Sequence, residues 1–282
     1  MQMELQIWYR KVNLLSTSWC GGHIQDVNVK TSDRFSWFAY KKIGCKMHDL
    51  MHDLAKEMTD ECAVAAELIP RKTLINNVRH IQLSWSKPKQ QITRLMENSS
   101  PIRTLLTQSV HLSFSESDFK ALEKLKLTSL RALCWGNPSV IHTKLINTTH
   151  LRYLDLSWSD IVRLPTSVCM LYNLRSLILN HCDKLEILPE SMQNMRKLTH
   201  IYLIGCDSLK QMPPKLSLLH NLWTLTKFIV DSGDGFGIEE LKDLRQLGNR
   251  LELFNLSKVK SGAKANLHEK KNLTELFFVL GP

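Results

Sequence analysis

Three segments of this chain can be laid over one another column by column. They are LRYLDLSWSDIVRLP from Leu151, LRSLILNHCDKLEILP from Leu174, and LTHIYLIGCDSLKQMP from Leu198. Leu130 opens an earlier copy (LRALCW) and Leu222 a later one (LWTLTKFIV), so the starts fall 21, 23, 24 and 24 residues apart. Self-similarity at a fixed period of about 20–29 residues marks an array of stacked units, each too small to bury its own apolar face.

Within each unit, L-x-x-L-x-L reads as a short strand with one face buried. Leu154 and Leu156 point inward around Asp155, Leu177 and Leu179 around Ile178, and Ile201 and Leu203 around Tyr202. Stacked rungs shield one another and build a parallel sheet on the concave side. Position nine of the rung holds Ser159, Cys182 or Cys206, where a small polar side chain can satisfy backbone groups as the strand turns away. A disulfide or shared metal between Cys182 and Cys206 is the alternative to buried thiols there. Each unit closes on Leu164-Pro165, Leu188-Pro189 or Met212-Pro213, and proline starts a convex return. The expected fold class is therefore α/β, a repeat solenoid over 71–282, most regular at 127–230. Less regular rungs are expected at 79–83, 102–106, 251–256 and 273–280. The last of these ends at Gly281-Pro282 without a polar cap and reads as cut off. Outward strand positions are the candidate partner contacts: Arg152, Tyr153, Asp155, Arg175, Ile178, His200, Tyr202, Trp223 and Thr226. They mix aromatic, cationic and hydrogen-bonding groups, as binding surfaces do.

The segment 1–70 has another character. His23–Val29 and Arg34–Tyr40 read as β-runs around the turn Lys30-Thr31-Ser32-Asp33. A helix is expected over 46–68, with Met47, Leu50, Met51, Leu54 and Met58 as its apolar stripe and Pro70 beyond its end. It carries Met47-His48-Asp49-Leu50-Met51-His52-Asp53. His48 and His52 stand four apart, the spacing of a zinc helix, but no third ligand accompanies them. A solvated helix with two histidines, or a histidine at a nucleotide phosphate, fits the same residues.

Lys+Arg 37 against Asp+Glu 27 gives a net charge of +10. That sign admits nucleic acid, anionic lipid or an acidic protein. The basic residues read as scattered, and the helix around His48 is partly acidic, which argues against nucleic acid. Seven cysteines without a CxxC pair suggest reduced thiols and a cytoplasmic location. The start, MQMELQ, is no secretory signal, and no apolar run is long enough for a membrane span. Gly233, Gly235 and Gly237 follow a strand-like run and precede an expected helix over 238–247. Their G-x-G-x-G spacing and the acidic residues beside them point to a loop interrupting the array, not a phosphate cradle.

Cys45 to Ala55 (CKMHDLMHDLA) followed by these repeats resembles plant intracellular immune receptors of the nucleotide-binding, leucine-rich-repeat class, coiled-coil type. The resemblance runs from about residue 24 onward. It implies that 1–70 is the winged-helix-like α+β end of a nucleotide-binding module, with Met47, His48 and Asp49 as the motif whose histidine contacts bound ADP. It implies that the repeats recognise a pathogen effector or a guarded host protein and fold back on the receptor's own nucleotide-binding module to hold it off. No G-x-x-x-x-G-K-[ST] loop occurs, so no cofactor is expected for this chain alone, although the full-length family binds ADP and ATP. The reading is a non-enzymatic receptor fragment. A standalone repeat adaptor or decoy, and a winged-helix nucleic-acid binder, are the alternatives.

Overall fold

The structure, a computed structural model, describes residues 24–28, 43–47, 63–65, 79–83, 101–107, 127–135, 148–259 and 261–279. The chain divides into two compact units, Met1–Ala63 and Val64–Pro282.

In the first unit, β1 (Ile24–Asn28) pairs antiparallel with β2 (Ile43–Met47), Ile24 opposite Met47 and Asn28 opposite Ile43. The first β-run thus forms where expected, but its partner is Ile43–Met47. The other expected run, Arg34–Tyr40, lies outside the described residues. The expected helix over 46–68 is also corrected at both ends. Lys46 and Met47 close β2, and β3 (Ala63–Ala65) is a strand. Ile43, Cys45 and Met47 alternate with Gly44 and Lys46, a period of two that the helical stripe beginning at Met47 overrode. At β3, sheet pairing outweighs the helix preference of alanine.

The second unit is the array. β3, β4 (His80–Leu83), β5 (Thr104–Thr107), β6 (Ala132–Cys134), β7 (Tyr153–Asp155), β8 (Ser176–Ile178), β9 (His200–Tyr202) and β10 (Thr224–Leu225) lie side by side in chain order. Every pairing from β4 to β10 is parallel. The register carries the central column of each rung into line: Ile81, Leu105, Leu133, Leu154, Leu177, Ile201 and Leu225. All seven are buried, as are the opening column Leu130, Leu151, Leu174, Leu198 and Leu222 and the closing column Leu156, Leu179 and Leu203. The sheet then resumes with an offset as β11 (Lys227–Ile229), β12 (Asn249–Phe254) and β13 (Leu273–Val279), again parallel. Gly248 bridges to Thr224 at the offset; a Cβ there would lie 2.7 Å from the Asn272 carbonyl oxygen, so only glycine lets the backbones approach.

The prolines act as expected. Pro165 and Pro189, both extended, precede the 3-10 turns Thr166–Met170 and Glu190–Asn194, which form the return side of their rungs and bury Val168 and Met192. The helix expected over 238–247 is shorter, a 3-10 turn at Ile238–Leu241. One turn suffices to return the chain, and the next strand begins at Asn249. The glycine loop lies between β11 and that turn, interrupting the array.

At position nine, Cys182 and Cys206 are buried free thiols. Cys182 Sγ donates to the Leu156 carbonyl at 3.3 Å and Cys206 Sγ to the Leu179 carbonyl at 2.9 Å. Ser159 Oγ stands 3.2 Å from Cys182 Sγ. The column therefore satisfies strand-end carbonyls, and no disulfide forms there. Its hydrogen bond with Cys182, and then burial, push the Cys206 thiol up.

Candidate recognition surface

The outward side chains of β6 to β10 fall into register columns on the concave face. One column runs Ala132, Tyr153, Ser176, His200, Thr224; the next runs Cys134, Asp155, Ile178, Tyr202. Tyr153, Ser176, His200 and Tyr202 are half-buried and form the accessible centre.

Asp155 is only 7 % exposed and is held firmly. Its Oδ1 accepts from Ser157 N–H at 3.0 Å and from Ser157 Oγ at 2.6 Å. Its Oδ2 accepts from Tyr153 O–H at 3.4 Å and from the Cys134 thiol at 3.6 Å. Burial, and then the Asp155 charge, raise the Tyr153 phenol well above its ordinary value, so it stays protonated and keeps its hydrogen bond to Asp155. His200 Nδ1 lies 3.0 Å from Thr224 Oγ1, which also accepts from Asn249 Nδ2 at 3.1 Å. The Thr224 hydroxyl thus links the His200 ring to the Asn249 amide. Burial lowers the His200 pKa, which favours the neutral ring. His200 also stacks on Tyr202, centroids 6.2 Å apart. The face therefore offers pre-set hydrogen-bonding and aromatic groups on consecutive strands.

The other expected contacts are placed as follows. Ile178, 8 % exposed, closes the floor of the face, and Thr226, 3 % exposed, turns inward, its hydroxyl accepting from Leu203 N–H at 2.7 Å. Arg152, Arg175 and Trp223 do not point into the concave columns. They occupy the position before each strand, at its edge, where Trp223 is 56 % exposed and Arg175 is exposed. Met47 ends β2, while His48 and Asp49 lie outside the described residues. Among the described residues no group of three or more His, Cys, Asp or Glu could hold a metal, and no helix is long and apolar enough to cross a membrane.

The edge position carries a feature that the scattered-charge reading missed. Arg79, Arg103, Arg131, Arg152 and Arg175 occupy it on five consecutive rungs. The N–H groups of each of the last four arginines and its following residue both donate to the carbonyl of the arginine one rung before, for example Arg152 N and Tyr153 N to Arg131 O at 2.8 and 3.1 Å. Partial burial, then the charges of Arg131 and Arg175, lower the Arg152 pKa. Gaps of 21 to 28 residues hide such a column in a linear reading; folding the sequence at its own period exposes it.

A second ridge follows the strands. Trp158, His181 and Gly205 share a left-handed position, with φ of 65°, 56° and 73°. The Trp158 and His181 rings stack at 4.1 Å, and the His181 ring covers Gly205. Lys227, buried beneath the face, donates to the Cys206 carbonyl at 2.6 Å and lies 4.4 Å from the Phe254 ring centre.

Comparison with known proteins agrees with this geometry. The model of a family described as leucine-rich repeat region matches residues 102–278. Disease resistance RPP13-like protein 1 of Arabidopsis thaliana is 33% identical over 251 residues, covering 83% of this chain and 23% of the relative. Another disease resistance protein of the same plant is 32% identical over 226 residues, covering 78% of this chain and 16% of its own length. The chain thus spans less than a quarter of either relative. Among solved structures, internalin C2 of Listeria monocytogenes aligns at a TM-score of 0.41 and 13% identity over 69% of this chain and 76% of that one. The parallel sheet and the family match carry the fold without it.

Proposed function

We propose that this chain, which belongs to the leucine-rich-repeat family, works as the recognition and restraining surface of a plant defence receptor. The relatives are disease resistance proteins, which supports a role in defence. The observation that carries the reading is the concave array Tyr153, Ser176, His200 and Tyr202. These groups stand on consecutive strands of a rigid sheet and need little ordering when a protein partner docks. The partner is a pathogen effector or a guarded host protein, and, in a full-length receptor, its own nucleotide-binding module. In that setting Met47, His48 and Asp49 form the ADP contact, ATP takes over on activation, and the protein acts in the cytoplasm without catalysing a reaction itself. Restraint then amounts to a shift between closed and open states, worth a few kcal/mol at most.

Co-precipitation tests it. This chain is co-expressed in leaves with the nucleotide-binding region of the RPP13-like relative. The wild type is expected to co-precipitate that region, and the triple variant Tyr153→Ala, His200→Ala, Tyr202→Ala to lose most of the capture at equal protein level. Equal capture by both would overturn the assignment of the concave face.

A further inference from the structure

We propose that the concave face holds a slot over β8 for one uncharged aromatic side chain of a protein partner, its ring inserted between Tyr153 and the His200–Tyr202 pair. The slot rests on the recognition reading above and gives the chemistry of one contact within it. Three arguments converge on it.

The first is shape. The outward residues of β8 are Ser176 and Ile178. Ser176 is small and half-buried, so solvent still reaches it, and Ile178 is buried beside it. The register sets Tyr153 on β7 to one side and His200 and Tyr202 on β9 to the other. Hydrogen bonds keep both walls off this floor. Tyr153 O–H donates to Asp155 on its own strand at 3.4 Å. His200 Nδ1 stands 3.0 Å from the hydroxyl of Thr224, on the strand away from β8, and Tyr202 hydrogen-bonds the same side chain. Tyr202 also adds to the rise of the Tyr153 pKa, as two phenols facing across one trough would. Among β6 to β10 only β8 lies between rings on both sides. β6 has Tyr153 on one side and the buried Thr104 and Leu106 on the other, and β10 lies between His200 and the Asn249 amide.

The second is width. Neighbouring strands lie about 4.8 Å apart, so walls on β7 and β9 stand roughly 9.6 Å apart. A flat ring above β8 then lies about 4.8 Å from each wall, within the range of about 4.5–7 Å at which aromatic rings attract one another. The His200 and Tyr202 rings stack at 6.2 Å with planes 20° apart and so form one wall. An aliphatic side chain could fill the same space but would forgo the ring pairs.

The third is charge. Asp155, the charged side chain beside the slot, is 7 % exposed and accepts from Ser157, Tyr153 and the Cys134 thiol. Burial lowers the His200 pKa and favours its neutral ring. A charged group entering the slot would lose water without gaining a counter-ion, whereas a neutral ring loses little.

Saturation-transfer NMR of the full chain with N-acetyltryptophanamide tests the proposal. Saturable one-to-one binding is expected, at least about fivefold tighter than that of N-acetylleucinamide, since each ring pair contributes a factor of about two to ten. Ser176→Trp, which fills the slot from its own floor, should abolish binding. Ser208→Trp, which adds the same ring at an exposed position outside the strands, should change affinity less than about twofold. Tyr153→Leu and Tyr202→Leu should each weaken binding about two- to tenfold. Circular dichroism checks that every variant folds. No saturable binding, equal affinity for the leucine amide, wild-type binding by Ser176→Trp, or tighter binding of maltohexaose than of the tryptophan amide would each overturn the slot. The co-precipitation described above separates the two readings. Capture lost in its triple variant while the amide fails to bind removes the slot and leaves the concave face as the recognition surface. Saturable amide binding with capture unchanged keeps the slot and removes that partner.

Discussion

Gly205→Ala is expected to destabilise the array through two separable effects. Gly205 lies at φ +73°, and an added Cβ would sit 2.5 Å from His181 Nδ1. A residue with a Cβ in that backbone region costs about 1 kcal/mol. The clash also forces the His181 ring off Trp158, on which it stacks at 4.1 Å with planes 19° apart. Losing an aromatic pair of that kind costs about 1 kcal/mol. The single variant should therefore lose about 2 kcal/mol. In a His181→Ala background no ring remains to displace, so the same substitution should cost only about 1 kcal/mol. Equilibrium urea unfolding followed by circular dichroism gives the four free energies of the cycle by linear extrapolation. A coupling below about 0.3 kcal/mol, or a cost under about 0.5 kcal/mol for Gly205→Ala alone, would refute this account of the ridge.

Leu177→Ala, at a fully buried position in the central column, should lose about 2–5 kcal/mol in the same unfolding measurement. His200 gives a pH dependence. Its folded pKa lies below the ordinary 6.5, so the unfolded chain takes up its proton first. Its contribution to stability is present above pH 6.5 and declines as pH falls from there through the lowered folded value. Unfolding free energies measured between pH 7 and pH 5 should fall less steeply in His200→Gln, and an unchanged slope would contradict the burial assigned to the ring. Cys134, Cys169, Cys182 and Cys206 are buried thiols, so alkylation mapped by peptide mass spectrometry should leave them unmodified in the native chain and label them in urea. Labelling of Cys182 or Cys206 under native conditions would break the position-nine picture.

The regular rungs were legible because each column repeats one physical requirement. Leu154, Leu177 and Ile201 must leave water, and only stacking lets them do so. The prolines and position-nine residues followed from backbone needs at the turn. The outward placement of Tyr153, His200 and Tyr202 was legible from alternation alone, but the depth of each position was not: Ile178 and Thr226 sit on the same alternation and are buried, because burial depends on neighbouring rungs. The arginine column escaped because its members are far apart in the chain and meet only after the array closes. The strand at Ile43–Met47 was misread because an apolar alternation ran directly into a helical spacing at Met47.

Because every rung hydrogen-bonds only to those flanking it, the edge arginines behave as graduations on a ruler whose interval belongs to the peptide backbone. A substitution can erase one mark or change its size, yet cannot slide it closer to the next. Only inserting or deleting whole rungs changes the number of marks, a step that lengthens or shortens the scale while leaving its divisions intact.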